Sequence, residues 1–492
     1  MPQHNLIFPF QINMFDQNKK NQSLYSGKKI QNILKRFVSL FFYLISFFVL
    51  TVLIVITFFY LNSEIFNFSE TSIFKGKEIY NPYENIGDRR IKANFHAHSK
   101  AWGGTTNGKS TEKELFDHYK KNDYDIAGIS NYHNISRYGR NKKGIYIPVY
   151  EHGFNPLKSH LLIINPQKVS YFDFPLLQTV HHQQTIINKV TNNKTLIAIA
   201  HPDFGMSRSL SDFKKLSNYQ LTEVLNHYRN SERYWDKALS SGKLSWIVGN
   251  DDIHDPKEEE ACKIYNVIFA DKYNSTSTLD AMRQGKHYSI KTMYGFSENE
   301  LQNCRIVGEN TIRITLTNKA DTILFIGQNG EVRKSLRSTS SANYTMSKND
   351  TYIRVKAINQ HSQLFLNPII RCNNKHLNPL LIQEKVKTNI FLTICIKTLV
   401  GFFLMLLITL NSRILRKIRS RSCEKLELLK PSIFLDCFIS ILNFLEFFFC
   451  SFLKFLSHLS NFVRVKFNCH LTIGFLHLII CSCRFNTKHL VI

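Results

Sequence analysis

The sequence predicts an α/β protein whose strands carry metal-binding side chains at their ends and whose soluble part lies between two transmembrane helices. Three observations lead to this prediction: short apolar strands recur with helices between them, histidines and acidic residues fall beside those strands, and two long apolar runs enclose them. Strands that alternate with helices are typical of a parallel sheet or barrel. Functional groups at the carboxyl ends of successive strands are typical of a barrel with its active site at that edge.

The first apolar run covers residues 37–61, contains no charge and exceeds the roughly 20 residues that a bilayer core requires. It is too long for a signal-peptide core and no small-residue cleavage site follows it, which favours an uncleaved anchor over a cleaved signal peptide. Lys35 and Arg36 predict that the basic segment 1–36 stays in the cytoplasm. Residues 62–88 are then a linker on the far side of the membrane.

The second apolar run, 389–410, contains Lys397 and is followed by a basic cytoplasmic segment, 411–430. It is predicted to be a returning transmembrane helix, with a buried amphipathic helix as the alternative. The two runs predict a protein of a bacterial-type inner membrane, in contact with lipid, whose catalytic domain is periplasmic. The hydrophobic, Phe- and Cys-rich segment 431–492 is either further membrane-associated helix or non-native sequence, and no function is assigned to it.

The net charge of +26 comes from 63 lysines and arginines against 37 acidic residues. Much of the excess flanks the apolar runs, as expected for residues that set membrane orientation, so no nucleic-acid partner is expected. Between the runs there are only Cys262, Cys304 and Cys372. This excludes a disulfide scaffold and a zinc ribbon.

Between residues 89 and 294 most strands lead into a residue that can bind a metal. His96 and His98 follow the strand IKANF two residues apart, so both point to one face. Each candidate taken alone has an ordinary alternative as a turn or core residue, but their recurrence at strand ends favours a metal site. Imidazole with carboxylate suits zinc, manganese or iron, and a bridging carboxylate can hold two ions. The candidate ligands are His96, His98, His133, Glu151, His160, His201, Asp252 and His254.

Helix and turn signals complete the soluble part. Thr111–Glu114 is a capping box that opens a helix, and Ser231–Leu239 reads as another helix, closed by Gly242. From 295 to 374 short alternating strands are separated by turn residues such as Gln328–Gly330. They predict a small β-sandwich that shapes the substrate mouth or spaces the catalytic domain from the membrane.

The motifs HAH (96–98), SNYH (130–133), SHLLIIN (159–165), AIAHPDFG (198–205) and the long block 223–255 occur in the order found in the PHP (polymerase and histidinol phosphatase) superfamily. The chain resembles its membrane-anchored, CehA/McbA-like branch. The resemblance implies a distorted seven-stranded β/α barrel with two or three divalent ions and a hydrolytic reaction, most often on phosphate esters. It implies that His96, His98, Glu151 and Asp252 hold one ion, that Glu151, His160 and His201 hold a second, and that His133 and His254 belong to a third.

The sequence departs from the family pattern in two places. Asn131 stands where an aspartate is usual, and the stretch after Ser99 lacks the His or Asp that often completes the third site. An amide cannot bring a full charge to a metal. A binuclear centre is therefore expected rather than a trinuclear one.

The predicted function is a membrane-anchored, metal-dependent phosphoesterase or phosphatase that uses a metal-bridged hydroxide on a small phosphorylated substrate. His254 or His227 is the predicted general acid, although His227 is equally well explained as a structural partner of Asn226. The candidate substrate-binding residues, each equally well explained as a solvated charge, are Lys100, Arg208 and Arg229. The alternatives are hydrolysis of a carboxylic or carbamate ester at the same site, and a metal-stabilised binding or sensor module without catalysis.

Overall fold

The structure is a computed structural model that describes residues 12–69, 71–104, 108–205, 207–373 and 386–423, with side chains from residue 31 onward except at 419 and 421–423. The predicted hydrophobic segment 431–492 and the last residue of the predicted sandwich, Asn374, lie outside the described residues.

The described residues form six α-helices. They are α1 (Ile12–Tyr60), α2 (Glu112–Lys121), α3 (Val180–Val190), α4 (Glu232–Ser240), α5 (Ser275–Arg283) and α6 (Ile390–Cys423). The capping box is confirmed, because Thr111 and Glu114 each accept a hydrogen bond from the backbone N–H of the other at the start of α2. The predicted helix after Ser231 is confirmed as α4. Gly242 follows α4 with φ +74°, as a helix stop requires.

Eighteen strands occur in the same described ranges. They are β1 (Phe66–Asn67), β2 (Glu78–Tyr80), β3 (Arg89–Asn94), β4 (Ile126–Ala127), β5 (Val149–His152), β6 (Leu161–Ile164), β7 (Leu196–Ile199), β8 (Leu221–Asn226), β9 (Trp246–Asn250), β10 (Ile264–Ala270), β11 (His287–Thr292), β12 (Leu301–Val307), β13 (Thr311–Ile326), β14 (Val332–Thr345), β15 (Tyr352–Ile358), β16 (Ser362–Leu366), β17 (Ile369–Cys372) and β18 (Lys387–Thr388).

One sheet consists of β5 to β9 in chain order. The β5–β6 and β6–β7 pairs are antiparallel, whereas β7–β8 and β8–β9 are parallel. Every residue of these five strands is buried, which explains why their sequences are apolar on both faces.

A second, eleven-stranded sheet contains β3, β4, β10 and β11. β3 pairs in parallel with β4 and antiparallel with β10. Isolated bridges, Ala97 to Ile253 and Tyr132 to Glu151, join it to the five-stranded sheet. The fold is therefore mixed α/β, as predicted, but a closed seven-stranded barrel is not confirmed: among the described residues the ladders form three sheets, of two, five and eleven strands, and none of them closes into a barrel.

The predicted separate sandwich at 295–374 is not confirmed either. Its strand β16 pairs with β11 over five residues, for example Leu364 with Ile290, so β12 to β16 extend the sheet that contains β3. At the other end of the chain β2 pairs with β17. The hydrogen bonds on one side of β11 are thus made by the C-terminal strand β16, and those on the other side by β10.

A buried ion pair also fastens this region to the five-stranded sheet. Arg354 of β15 donates from Nε and Nη2 to the two carboxylate oxygens of Asp236 in α4, both at 2.8 Å. Its Nη1 lies 3.0 Å from Glu232. Such a two-pronged contact fixes both position and orientation.

Two helical segments, Gln31–Tyr60 of α1 and Ile390–Ile418 of α6, are long and apolar enough to cross a membrane. α1 begins well before the predicted residue 37 and α6 ends beyond 410. The two helices meet where β1 pairs with β18, and Thr51 accepts a hydrogen bond from Asn411 along their length.

Candidate metal centre

The ends of the strands are joined by backbone hydrogen bonds into one edge. Asp252 N–H donates to the carbonyl of His96, and His98 N–H donates to that of Ile253, both at 2.8 Å. On the other side Ser130 N–H donates to Ala97 and Glu151 N–H donates to Ser130. These hydrogen bonds bring the residues that follow β3 and β9 next to Glu151 of β5. The side chains that were predicted from strand ends therefore converge.

His96, His98, Glu151 and Asp252 form the first part of the site. Nε2 of His96 lies 3.3 Å from Glu151 Oε2 and 3.1 Å from Asp252 Oδ1. Nε2 of His98 lies 3.0 Å from the same oxygen of Glu151 and 3.3 Å from that of Asp252. All four side chains are buried. Four donors bound to one tetrahedral zinc would lie roughly 3.4 Å apart, so these atoms are close to the spacing that a metal requires.

Glu151 also reaches a second group of ligands. Its Oε1 lies 2.5 Å from His160 Nδ1 and 3.1 Å from His201 Nε2. The two oxygens of this carboxylate therefore face two different sets of imidazoles, which is how a bridging carboxylate holds two cations.

Unpaired polar atoms test whether a metal fits. His96 Nε2, both ring nitrogens of His98 and Glu151 Oε2 are buried and have no hydrogen-bond partner in the described part of the chain. Buried polar atoms without partners are rare, because each costs free energy unless something compensates it. Their convergence on shared points indicates that divalent cations are the missing partners. The donor set fits the ions.

The electrostatics favour the charged carboxylates. Burial alone would raise the pKa of Glu151, but the imidazoles of His160 and His96 outweigh it and hold that pKa well below its usual range. Burial likewise opposes a charge on Asp252, yet His96 and His98 lower its pKa. Both carboxylates are thus ready to bind a cation at neutral pH.

Three residues of the site have backbone angles that are rare for side chains other than glycine: His133 with φ 46°, His201 with φ 24° and Asp252 with φ 54°. Such conformations cost about 1–3 kcal/mol each and cluster at functional sites. These strained backbone angles lower the stability of the fold, which supports a functional role for the residues that adopt them.

Glu223 and Asn226 of β8 support the ligands from behind. Glu223 Oε1 accepts a hydrogen bond from Nδ1 of His96, and its Oε2 accepts from the backbone N–H of His201 at 2.8 Å. Asn226 donates to Asp252 Oδ2 at 3.1 Å. A carboxylate behind a metal-binding histidine fixes its tautomer and raises its basicity.

His254 and His133, the predicted third-site ligands, are not brought together. The ring of His254 stacks on that of His98, 4.5 Å between centroids, and both its nitrogens are buried without a partner among the described residues. Burial and the neighbouring His98 lower the pKa of His254 to about 4. His133 instead contacts the Ser170 carbonyl through Nδ1 and accepts a hydrogen bond from Gly153 N–H at Nε2, so both its nitrogens are engaged.

Asn131, one of the two departures from the family pattern, fixes the position of the loop at Ser99 by hydrogen bonds. Its side chain accepts from the backbone N–H of Ser99 and donates to the Ser99 hydroxyl, both at 2.9 Å. It thereby fixes the residue next to His98 without facing the metal-binding atoms.

The remaining predicted residues have different surroundings. His227 contacts the Asp251 carbonyl through Nδ1. Lys100 is exposed and lies near Glu114 at the start of α2 rather than over the ligands. Arg208 is buried beside Asp212 and Tyr219, and burial lowers its pKa to about 10. Arg229 is separated from the candidate ligand His201 by one aromatic ring. Its guanidinium lies 5.7 Å above the ring of Phe204, which packs against His201.

Two residues of the site were not predicted as participants, Tyr132 and Glu223. The Tyr132 ring stacks on His98, with 4.6 Å between centroids, and burial together with the charge of Glu151 raises the pKa of its phenol strongly. Tyr132 directly precedes a predicted ligand at a strand end, and Glu223 is a carboxylate inside an apolar strand. Both features are visible in the sequence.

The chain matches no protein-family model and no curated protein. A solved structure with which it aligns is a two-domain protein from Bacteroides vulgatus ATCC 8482 described as containing a predicted PHP-like metal-dependent phosphoesterase. The two are 11% identical, the alignment covers 63% of this chain and 93% of the other, and the TM-score is 0.31. The likeness is too distant to assign a family.

Proposed function

We propose that the protein is a membrane-anchored, metal-dependent hydrolase that acts on phosphate esters. The observation that carries the proposal is the position of Glu151, whose Oε2 faces His96 and His98 while its Oε1 faces His160 and His201. One carboxylate between two imidazole pairs is the arrangement of a binuclear hydrolytic centre.

In this proposal His96, His98, Asp252 and Glu151 hold one divalent ion, and Glu151, His160 and His201 hold another. Mixed imidazole and carboxylate donors suit zinc, manganese or iron. When bound, such ions acidify water and neutralise the charge of a phosphate group. The chain itself fixes the four imidazoles and keeps both carboxylates ionised.

The protein's own groups can also handle the leaving group. In hydrolysis a water oxygen bonds to phosphorus, the bond from phosphorus to the ester oxygen breaks, and that oxygen takes up a proton. His254 stacks on His98 and has no competing hydrogen bond among the described residues, but with its pKa lowered to about 4 it is a proton donor only in acid, so near neutral pH solvent water supplies this proton. Arg229, which lies over the Phe204 ring that packs against His201, is the candidate cation for the substrate's phosphate.

The membrane part of the proposal is supported by the two apolar helices and by the charges beside them. Lys35 and Arg36 at one helix and Arg413 and Arg416 at the other lie on the side away from the soluble domain along the chain. Positive residues at membrane helices favour the cytoplasm, which gives the metal centre an extracytoplasmic position.

The test uses the purified full chain, metal analysis, and hydrolysis of p-nitrophenyl phosphate and p-nitrophenyl acetate with added manganese or zinc. We expect about two ions per chain and metal-dependent release of phosphate. Glu151→Gln should lose both, whereas Glu259→Gln, a matched change at an exposed carboxylate, should lose neither. Turnover of the acetate alone would favour a carboxylic ester hydrolase. Metal binding without turnover of either compound would contradict an enzymatic function.

A further inference from the structure

We propose that the metal centre opens towards the bilayer surface and that its substrate is a lipid with a phosphate ester headgroup. This inference rests on the proposed function and adds the substrate class. It depends on where the apolar helices join the soluble domain and on which side chains surround the mouth of the site.

The end of α1 is tied to the segment between β6 and α3, and this segment in turn contacts the loop that follows Glu151. The hydroxyl of Tyr60 accepts a hydrogen bond from Leu176 N–H at 3.2 Å and donates to the Leu177 carbonyl at 3.1 Å. The side chain of Asn155 donates to the carbonyl of Leu176. Asn155 comes four residues after Glu151, which is at most about 14 Å of extended chain. The membrane helix therefore ends close to the metal-binding edge.

Contacts at the start of α3 place the helix end at the same edge. Ser63 lies 3.1 Å from Nε2 of His182, and Phe66 N–H donates to Nδ1 of His181 at 3.1 Å. β7 ends two residues before His201, at the edge of the sheet where the candidate ligands converge, so β7 begins at the opposite edge of the sheet. Since α3 leads into the start of β7, its own first turn lies at the metal-binding edge.

The second apolar helix leaves from the same place. Asn389 N–H donates to the Ile65 carbonyl at 2.7 Å, and Ile65 N–H donates to the Thr393 hydroxyl at 2.9 Å. The linker then runs away from this edge, because the Ser72 carbonyl packs against Gly242, which lies just before the start of β9. Both membrane helices thus approach the domain from the side of the ligands.

Large apolar side chains are exposed around the same edge. Phe154 follows β5 and stacks on His133, Tyr228 follows β8, and the indole of Trp102 donates to the Tyr132 carbonyl. Tyr294 and Phe296 follow β11, whose Lys291 pairs with Ile264 near the end of β3. With Leu177 these residues are between 39% and 73% exposed. Exposed aromatic side chains around a polar site are typical of proteins that enter the interfacial region of a bilayer.

Cationic groups among these side chains suit an anionic headgroup. Arg229 lies over Phe204, the ring that packs against His201, and the exposed Lys158 follows Asn155, whose side chain contacts Leu176. Glu258 and Glu260 lie near Tyr228 and partly offset this charge. A lipid phosphate can approach these cations from the bilayer surface, whereas a soluble substrate gains nothing from the exposed apolar rim.

The orientation is tested by tryptophan fluorescence in vesicles of brominated phosphatidylcholine. The chain has three tryptophans, and Trp235 and Trp246 are buried, so quenching reports on Trp102. We expect quenching by the brominated lipid that disappears in Trp102→Phe. Val332 is 55% exposed, against 44% for Trp102, but it follows a turn whose Asn329 contacts Ser240, at the end of α4 that precedes β9. Val332→Trp in the Trp102→Phe chain should therefore not be quenched. Absence of quenching in the unmodified chain would overturn the orientation.

The substrate class is tested with the full chain in vesicles, using phosphatidate as the lipid phosphomonoester and glycerol 3-phosphate as the soluble one. We expect release of phosphate from phosphatidate to fall about tenfold or more in the Tyr294→Ser, Phe296→Ser double variant. The two changes remove apolar side chains that would bind the interfacial region of the bilayer. Turnover of glycerol 3-phosphate should not change, and Val332→Ser should affect neither reaction.

The possible failures can be told apart. Hydrolysis of glycerol 3-phosphate without hydrolysis of phosphatidate overturns the lipid substrate and leaves the proposed function intact. An unchanged phosphatidate rate in the double variant overturns the role of the rim. Hydrolysis of neither compound by the metal-loaded chain overturns the proposed function itself.

Discussion

Nδ1 of His96 donates a hydrogen bond to Oε1 of Glu223 at 2.9 Å, and this leaves Nε2 as the ring atom that could bind a metal. Glu223 is fully buried and also receives hydrogen bonds from Asn250 and Asn226. Glu223, which orients His96, is thus itself positioned by two side-chain amides.

Replacing this carboxylate should weaken metal binding. Glu223→Gln keeps the shape but removes the charge that favours a basic Nε2, so we expect metal affinity to fall roughly 10–100-fold. Competition with a chromogenic chelator measures the affinity. The exposed Glu259→Gln variant serves as the control. Unchanged affinity in Glu223→Gln would show that the contact with His96 does not tune the metal.

Removing the metals should lower thermal stability. Ions that bind only the folded chain stabilise it by about 2.7 kcal/mol when their concentration is 100 times the dissociation constant. We expect a chelator to lower the Tm of the detergent-solubilised protein, followed by near-ultraviolet circular dichroism. The Glu151→Gln variant should respond far less to the same chelator. An equal fall in Tm in both proteins would show that the chelator does not act through this site.

Breaking the pair between Asp236 and Arg354 should destabilise the fold without emptying the site. Asp236→Ala leaves a buried guanidinium with one carboxylate fewer, and loss of one partner of a buried pair costs about 3–5 kcal/mol. Urea unfolding measures the cost. Lys113→Ala, which breaks an exposed pair with Asp117, should cost less than about 1 kcal/mol. Metal content of the folded fraction should stay the same in both variants.

His287 should make the protein less stable in acid. It is fully buried with Nε2 2.7 Å from the Ile247 carbonyl, and burial lowers its pKa to about 4. In the unfolded chain this pKa returns to about 6.5, so the unfolded state alone takes up a proton between these values. The contribution of His287 to stability is therefore complete above pH 6.5 and is lost as the pH falls towards 4, by up to about 3 kcal/mol.

The measurement compares the pH dependence of urea unfolding in the unmodified chain and in His287→Gln. The variant keeps a donor for the Ile247 carbonyl but cannot titrate. Its unfolding free energy should therefore fall less steeply between pH 6.5 and 4. Parallel curves would exclude His287 as a source of acid sensitivity.

The sequence supports most of the candidate site because ligand-bearing strand ends are recognisable one strand at a time. Six predicted ligands, His96, His98, Glu151, His160, His201 and Asp252, converge in the structure, although metal binding by them stays a prediction. His133 was included because it also ends a strand, but a strand-end position does not reveal that Ser170 and Gly153 occupy its nitrogens.

The arrangement of the sheets was harder to predict. Alternation shows which side chains share a face, but it does not show which strand lies beside which. The pairing of β11 with β16 joins residues 70 to 78 positions apart, so no short-range sequence pattern predicts it. Two predicted strands also merge in β13, a single 16-residue strand whose pairing with β14 shifts register between Thr315 and Ala320.

The continuity of that sheet sets limits on protein engineering. A soluble fragment that stops near residue 294 would remove β16, one of the two neighbours of β11, and leave an open apolar edge prone to self-association. A fragment that starts at residue 89 would discard β2, which covers β17. A soluble form suited to crystallisation should therefore contain every residue from Glu78 to Cys372, so that both β2 and β17 are complete. Only the two apolar helices and the residues beyond them should be removed.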